Sequence, residues 1–265
     1  SEEDISAQAL ALLESHAGRV RNMLAQGKTG AARAAVTQMQ MIAAQARMTG
    51  LADLRVSLAN GDLSAAEKAS AVLRSKNSLT ATEIDALLEL AHRQDQQQRV
   101  IELAPLANRN EGNTRALALA QLRTSGPAAA LAVLSQWPEE TTFAREIADL
   151  HLLNDDLASA QRAMVNTGIS LGDPIGQAYV ARMSLRAQGP TAQAEGIAQL
   201  ALWHPQVGAA QAAHGELLMR QGNLAGARAR FLLAMKLDPL LWSLQKHLQV
   251  IDAPSTPEAT PGAPA

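Results

Sequence analysis

Ala- and Leu-rich stretches of the chain alternate with short polar turn pairs that recur almost every 34 residues. Each pair ends one apolar helical stretch and opens the next, at spacings of 29 to 34 residues. The pairs are Gln26-Gly27, Asn60-Gly61, Gln94-Asp95, Ser125-Gly126, Asn154-Asp155, Gln188-Gly189 and Gln221-Gly222. This period is typical of helical repeat arrays, in which every repeat is one helix-turn-helix unit. The pattern predicts an all-α fold, an α-solenoid of about seven helical hairpins.

Alanine recurs six residues after the first member of most turn pairs. The residues at this position are Ala32, Ala66, Ala160, Ala194 and Ala227, with Val100 and Leu131 in the third and fourth repeats. A small side chain lets two helices approach closely, so the recurrence places a helix crossing at each of these positions. Composition agrees, since 47% of the residues are apolar but only 2% are aromatic. Pro127 and Pro190 follow two of the turns and are compatible with helix starts.

The last repeat carries the most specific pattern. If it starts at Gly208, its eighth, twentieth, twenty-fourth, twenty-seventh and thirty-second positions are Gly215, Ala227, Phe231, Ala234 and Pro239. This pattern resembles the tetratricopeptide repeat. The resemblance implies that the two small residues lie where the helices cross, that Phe231 and Ala234 pack toward the next unit, and that the proline ends the helix. The repeat is degenerate, because Gln211 and Leu218 stand where the family has Trp and Tyr.

We predict one repeat array over residues 1–251, with residues 240–251 forming a terminal capping helix over its open end. Residues 252–265, which contain four prolines, are expected to form a disordered tail. The short spacings between Gln94 and Asn154 leave two alternatives for the centre, a continuous stack or two sub-arrays joined flexibly.

Charge and composition exclude several classes of function. The formal net charge is −2 with both signs interspersed, so nucleic acid is not an expected ligand. No cysteine is present, which excludes disulfides and thiol catalysis. No apolar run reaches the about 18 residues of a membrane span, and the start lacks the pattern of a secretory signal. We expect a soluble segment, periplasmic or cytoplasmic in a bacterium, from which an upstream signal, anchor or domain could have been removed.

Two features imitate catalytic or metal chemistry. Gly27, Lys28 and Thr29 match the end of a phosphate-binding loop, but Asn22 stands where the motif needs its first glycine. His151 and Asp155 lie one helical turn apart, without the further ligands that a tetrahedral metal site requires. The expected interpretation is a helix-helix turn in the first case and a hydrogen bond at a helix end in the second. We therefore predict no enzymatic activity, no cofactor and no metal.

The resemblance also predicts where a partner would bind. In tetratricopeptide proteins the first helix of each hairpin lines a concave groove, and side chains at the second, fifth, ninth, twelfth and thirteenth positions grip a peptide or helix there. Transferred to the last three repeats, these positions give a candidate partner-binding strip. The strip consists of Arg145, Asp149, Tyr179, Met183, Arg186, Glu216, Met219 and Arg220.

One subgroup of the family clamps a terminal carboxylate with Lys and Asn at the fifth and ninth positions. In the first four repeats these positions hold Ala17 and Arg21, Leu51 and Arg55, Asp85 and Glu89, and Ala116 and Ala120. The clamp is absent, so the surface suits a longer partner of mixed character.

Three functional hypotheses follow. The first is a non-enzymatic scaffold that binds a partner protein or peptide in its groove. Its Ala- and Gln-rich degenerate repeats resemble those of bacterial envelope assembly, secretion and exopolysaccharide export systems. The second is a regulatory or substrate-presenting module cut from a larger enzyme. The third is self-association through an exposed apolar face around Trp242.

Overall fold

The computed structural model describes residues 5–139, 141–190 and 193–253 of the chain. In these ranges the chain folds into α-helices, with one short 3-10 helix at Ala104–Leu106 and no β-strand, which confirms the predicted all-α class. Most helices pack against their neighbours in chain order, as in a helical repeat protein. The contacts divide the chain into two compact units, Ser1–Val133 and Leu134–Ala265. Unit 1 and unit 2 each contain their own hydrophobic clusters.

Unit 1 consists of consecutive helix pairs. Its helices are α1 (Ala7–Ala25), α2 (Thr29–Ala43), α3 (Arg47–Ala59), α4 (Leu63–Arg74), α5 (Ala81–Arg93), α6 (Gln97–Leu103), α7 (Glu111–Ser125) and α8 (Pro127–Leu134), whose last residue belongs to unit 2. Helices α1 and α2, α3 and α4, and α5 and α6 form hairpins. The first helices of successive hairpins also contact one another, α1 with α3, α3 with α5 and α5 with α7.

Unit 2 continues the same alternation and adds a terminal helix. Its helices are α9 (Ala144–Leu153), α10 (Leu157–Asn166), α11 (Pro174–Gln188), α12 (Ala194–Trp203), α13 (Gly208–Arg220), α14 (Leu224–Leu237) and α15 (Ser243–Asp252). Helices α9 and α10, and α13 and α14, are close hairpins, and α11 packs along α13. The described helices thus form seven successive pairs followed by one helix, in agreement with the predicted repeat number.

The turn pairs owe their recurrence to backbone geometry. The second residue of every pair has a positive φ, between 57° and 93°. These residues are Gly27, Gly61, Asp95, Gly126, Asp155, Gly189 and Gly222. A helix commonly ends on a residue of this kind, and glycine adopts it without a steric penalty. The turns predicted from the sequence are confirmed at all seven positions.

The residue after several of these turns caps the next helix. Asp62, Asp156 and Asn223 each accept a hydrogen bond from the backbone N–H three residues later, at 2.9, 3.1 and 2.9 Å. Such a side chain satisfies one of the N–H groups that a helix start leaves without a partner. Thr80 and Glu83 form a full capping box at the start of α5. The turn therefore ends one helix and its following residue starts the next.

Small residues bring the two helices of a hairpin together. Ala32, Ala66, Ala160 and Ala227 are fully buried, as the alanine pattern predicts, whereas Ala194 is only half-buried. In the last hairpin, a Cβ atom added to Gly215 would lie 2.5 Å from the Phe231 ring, so no larger residue fits there without a rearrangement. The predicted close crossing of α13 and α14 is confirmed.

Two of the turns have a different geometry. Gly126 and Gly189 combine positive φ with an extended ψ of −178° and −179°, a region that is essentially restricted to glycine. Each precedes a proline, and proline disfavours helical backbone in the residue before it. Pro127 is the first residue of α8, as predicted, but Pro190 lies before α12, which begins at Ala194. Helices α11 and α12 contact each other less extensively than α9 and α10 or α13 and α14 do.

The terminal helix, α15, contacts an early helix of unit 2 as well as the helix that precedes it. Helix α15 begins at Ser243 and contacts both α14 and α9, the first helix of unit 2. Trp242, at the start of α15, is only 4% exposed, so it does not form the exposed apolar face that self-association would require. The predicted disordered tail falls on residues of which 254–265 lie outside the described ranges.

Candidate functional site

The first helices of unit 2, α9, α11 and α13, carry the predicted partner-binding strip. The strip faces α15 of the same chain, and several residues of the strip are buried. Asp149 is 0% exposed, Tyr179 1% and Glu216 2%. The structure brings these three residues together around a fourth residue that the strip does not include, Arg182.

Arg182 is the centre of a buried ionic network. Its guanidinium donates to Asp149 Oδ1 at 2.7 Å, to Glu216 Oε1 at 2.8 Å and to Ser243 Oγ at 2.8 Å. Arg182 and Asp149 have no exposed surface. A planar guanidinium with five N–H groups can satisfy several acceptors at fixed angles, which a lysine ammonium cannot do in the same way. Arg182 therefore joins α9, α11, α13 and α15 at one point.

Asp149 binds the first residue of α15. Its Oδ2 atom accepts the Ser243 backbone N–H at 2.7 Å, and its Oδ1 atom accepts the Ser243 hydroxyl at 2.8 Å. A carboxylate at this place satisfies a helix-start N–H group and interacts favourably with the positive end of the helix dipole. Asp149 thus caps α15 from a helix that lies 94 residues earlier in the chain.

Glu216 lies among two arginines and a histidine. Besides Arg182, it contacts Arg186 Nη2 at 3.1 Å and His247 Nε2 at 3.7 Å. Burial by itself would raise the pKa of the Glu216 carboxyl, but the charges of Arg182, Arg186 and His247 outweigh it and hold that pKa well below its usual range. His247 also stacks on Phe231, with ring centroids 5.4 Å apart. Glu216 therefore lies beside the middle of α15 at His247, whereas Asp149 is hydrogen-bonded to the start of that helix.

The remaining members of the strip have different environments. Tyr179 is a core residue, and its ring lies 5.4 Å from the Arg182 guanidinium carbon. Arg145 forms an ion pair with Asp238, the residue that ends α14. Met183 and Met219 are partly buried against the core of unit 2, and Arg220 is exposed.

In the present structure α15 lies over Asp149 and Glu216, and Tyr179 belongs to the core of unit 2. The role of the strip in partner binding stays a prediction. The strip omits Arg182, Ser243 and His247. Arg182 stands at the eighth position of its repeat, one residue away from the positions that the resemblance selects. Arg182 and Arg186 are four residues apart, which places the two cations on the same face of α11. This spacing is the signal in the sequence that could have pointed to Arg182.

The equivalent surface of unit 1 is open. Helices α1, α3 and α5 border a cavity of about 190 Å³, and α1, α3 and the start of α5 border a second one of about 430 Å³. Met48 and Leu51 line both cavities. We call this surface the unit 1 groove. Its lining residues include Leu13, Glu14, Ala17, Val20, Arg21, Met48, Leu51, Ala52, Arg55, Thr82 and Glu83.

The unit 1 groove combines an apolar floor with charged edges. Val20 and Ala52 are buried in the floor, and Met48 and Leu51 are half-buried. Arg21 and Arg55, at the ninth positions of the first two repeats, form no ion pair within the described part of the chain.

One acidic residue of the groove, Glu83, is a charged carboxylate that is paired with an arginine of the same chain. Glu83 accepts a hydrogen bond from Arg47 Nε at 2.8 Å, and this bond lowers the pKa of its carboxyl to about 2, against the opposing effect of burial. The Thr80 backbone N–H and hydroxyl also bind this carboxyl, at 2.7 and 2.9 Å. Glu83 therefore belongs to the structure of the α5 start, and its charge is compensated by Arg47.

The features that imitate chemistry occupy ordinary structural positions. Gly27 and Lys28 form the turn between α1 and α2, and Thr29 is the first residue of α2. His151 Nδ1 lies 3.4 Å from Asp156, whereas Asp155 pairs with Arg186 at 2.9 Å. The predicted bond between His151 and Asp155 is thus wrong, because the positive φ of Asp155 turns the chain at that residue. Within the described ranges, no three His, Cys, Asp or Glu residues are placed to hold a metal ion.

Comparison of the sequence with known proteins assigns the chain to no family. No protein-family model matches the chain, and no curated protein is significantly similar to it. Among the helices that the structure describes, none has the length and apolar character needed to cross a membrane.

Proposed function

We propose that this protein is a non-enzymatic scaffold, built from degenerate tetratricopeptide-like repeats, that binds a segment of a partner protein on the first helices of its hairpins. One observation carries the proposal. In unit 2 these helices already hold an additional helix, α15, through hydrogen bonds that Asp149 and Arg182 form with Ser243. The surface of this repeat array is therefore chemically suited to bind a helix.

The site that we propose for the partner is the unit 1 groove. It is formed by the equivalent helices, α1, α3 and α5, and no segment within the described ranges fills the two cavities on it. Half-buried Met48 and Leu51 offer apolar contact area, and methionine adapts its shape to different partners. Charged groups at the edge, Glu14, Arg21 and Arg55, supply the polar rim that protein interfaces commonly have.

The setting that we propose is a bacterial envelope assembly, secretion or exopolysaccharide export system. Its support is the Ala- and Gln-rich character of the degenerate repeats, which is a resemblance in style. In such a system the chain would join other proteins by shape and distributed contacts, without catalysing a reaction. The properties of the groove do not depend on which of these systems the protein belongs to. Partner binding in the groove therefore tests the scaffold function and not the cellular setting.

A site-specific photocrosslink in the native cells tests the scaffold function. A benzophenone amino acid replaces Met48 in the groove, and the matched control carries it at Met41, a methionine of α2 that is 67% exposed. We expect one defined protein to crosslink at position 48 and not at position 41, and Leu51→Gln to abolish the product. Equal products at both positions, or none at position 48 in the folded chain, would reject the groove as the binding site.

A further inference from the structure

We propose that the unit 1 groove selects an acidic amphipathic helix, one whose apolar face is flanked by Asp or Glu residues. This inference rests on the proposed scaffold function and specifies the partner of the same site. It follows from a reversal of charge between the ninth positions of the first two repeats and those of the fifth and seventh repeats. Glu89, at the ninth position of the third repeat, pairs with Arg93 and lines neither cavity.

The first step is the equivalence between the units. Asp149 and Glu216 stand at the ninth position of the fifth and seventh repeats, in the same register that places Arg21 and Arg55 in the first and second. In unit 2 both ninth-position side chains contact the bound helix directly, Asp149 at Ser243 and Glu216 at His247. Two of the three ninth-position side chains of unit 2 therefore meet α15, and the third is the apolar Met183. The eighth position contributes as well, because Arg182 donates to Ser243 Oγ.

The second step is the sign of the charge. The Asp149 carboxylate of unit 2 accepts two hydrogen bonds from Ser243 at the start of α15, and the Glu216 carboxylate lies 3.7 Å from the imidazole of His247. Arg21 and Arg55 carry the opposite charge and can only donate hydrogen bonds, so their counterparts on a bound helix must be acceptors. Carboxylates are the acceptors that pair with a guanidinium most strongly, often through two parallel bonds.

The third step is the local charge of the groove. The other acidic residue that lines the same cavity as both arginines is Glu14, which forms no ion pair within 4 Å with either of them in the described structure. Glu83, in the neighbouring cavity, forms an ion pair with Arg47 that balances its negative charge. Two arginines and one glutamate leave an excess of positive charge beside the apolar floor, which disfavours a basic partner.

The fourth step is the form of the partner. Arg55 follows Leu51 by one helical turn on α3, and Arg21 follows Ala17 by one turn on α1. Each guanidinium therefore lies beside an apolar contact on its own helix. A segment that fills the floor with leucine-like side chains meets both arginines only if carboxylates border its apolar face. An amphipathic helix has this arrangement, and α15 shows that such a helix is accommodated on first helices of this chain.

Three labelled peptides test the selectivity on the whole chain by fluorescence anisotropy at low salt. They share one Ala/Leu face, are about 18 residues long because shorter helices are marginal in water, and carry either Glu, Lys or Gln beside that face. We expect the Glu peptide to bind roughly tenfold more tightly than the Lys peptide, since two ion pairs form in one case and two repulsions in the other. The preference should shrink as salt is added.

A charge reversal provides the decisive variant. Arg21→Glu with Arg55→Glu should invert the preference, so that the Lys peptide binds more tightly than the Glu peptide. The matched control is Arg19→Glu with Arg99→Glu, which makes the same change of net charge at two exposed residues outside the cavities and should keep the original preference. Circular dichroism confirms that each variant is folded.

The outcomes separate the two proposals. Binding that Leu51→Gln abolishes, but that is equally tight for all three peptides, would overturn the acidic selectivity and leave the scaffold function standing. A preference that the control variant also inverts would show a general charge effect and would overturn it too. If no peptide binds the folded chain and no product forms at position 48, both proposals fail.

Discussion

Replacing Arg182 removes the one cation that touches both buried carboxylates of unit 2. In Arg182→Met the unbranched apolar stem is kept, but the guanidinium and its three hydrogen bonds to Asp149, Glu216 and Ser243 are lost. The change therefore removes the charge while it keeps most of the packing of the stem. We expect unit 2 to become markedly less stable.

The magnitude follows from what remains around each carboxylate. Asp149 keeps its two bonds from Ser243, and Glu216 keeps Arg186 at 3.1 Å. Leaving a buried charge without its main partner costs about 3–5 kcal/mol, and the remaining contacts place the expected loss at the lower end of that range. Replacing all three ionic groups, as in Arg182→Met with Asp149→Leu and Glu216→Leu, should restore stability to within about 2 kcal/mol of the parent, because no buried carboxylate is then left unpaired and Arg186 keeps its pair with Asp155. The remaining loss reflects the Ser243 N–H, which no longer has Asp149 as its acceptor.

Tryptophan fluorescence isolates the unit concerned. All three tryptophans, Trp137, Trp203 and Trp242, lie in unit 2, and Trp242 is buried beside the network. Urea unfolding followed by fluorescence therefore reports on unit 2, whereas far-ultraviolet circular dichroism reports on all helices. The matched control is Arg220→Met, an exposed arginine of α13 without an ion pair in the described ranges, which should change the free energy of unfolding by less than about 0.5 kcal/mol.

A loss below about 1 kcal/mol in Arg182→Met, equal to that of Arg220→Met, would refute this reasoning. It would mean that water reaches Asp149 and Glu216 and that α15 is not held on them. A triple variant less stable than the single one would refute the second half, because apolar replacement would then cost more than the unpaired charges.

Three further predictions concern unit 1. Gly126→Ala should lower the free energy of unfolding by about 1–3 kcal/mol, because only glycine adopts its φ of 93° with extended ψ; Gly18→Ala, mid-helix with no atom within 4 Å of the new Cβ, should raise it by about 0.5–1 kcal/mol in the same urea titration. Asp62→Ala should cost about 1 kcal/mol through loss of the α4 cap, and Asp62→Asn should cost little; equal losses would contradict the cap. The lowered pKa of Glu83 makes its contribution present above the unfolded value of 4.5 and lost as pH falls toward about 2, so thermal unfolding of Glu83→Gln should depend less on pH in that window; an unchanged slope would contradict the assignment.

The sequence determined the local structure of this protein. A glycine or aspartate at each of seven turn positions ends a helix with positive φ, and residues such as Asp62 and Asn223 cap the next helix. These effects depend on a few neighbouring residues, so their period could be counted in the chain without knowledge of its packing. The alanines at the helix crossings, among them Ala66 and Ala227, follow the same period.

The tertiary structure decided what the first helices present. Asp149, Tyr179 and Glu216 stand at the positions from which the repeat pattern predicts partner contacts, yet all three are buried. Tyr179 lies in the core of unit 2, and α15, which returns to α9, lies over Asp149 and Glu216. That return joins residues 94 positions apart, Asp149 and Ser243, and no local pattern encodes such a distance. Arg21 and Arg55 occupy equivalent positions in unit 1 and line an open cavity. Equivalent positions therefore differ in exposure because burial depends on which distant segment packs over them, whereas helix starts and ends depend on the backbone conformation of adjacent residues.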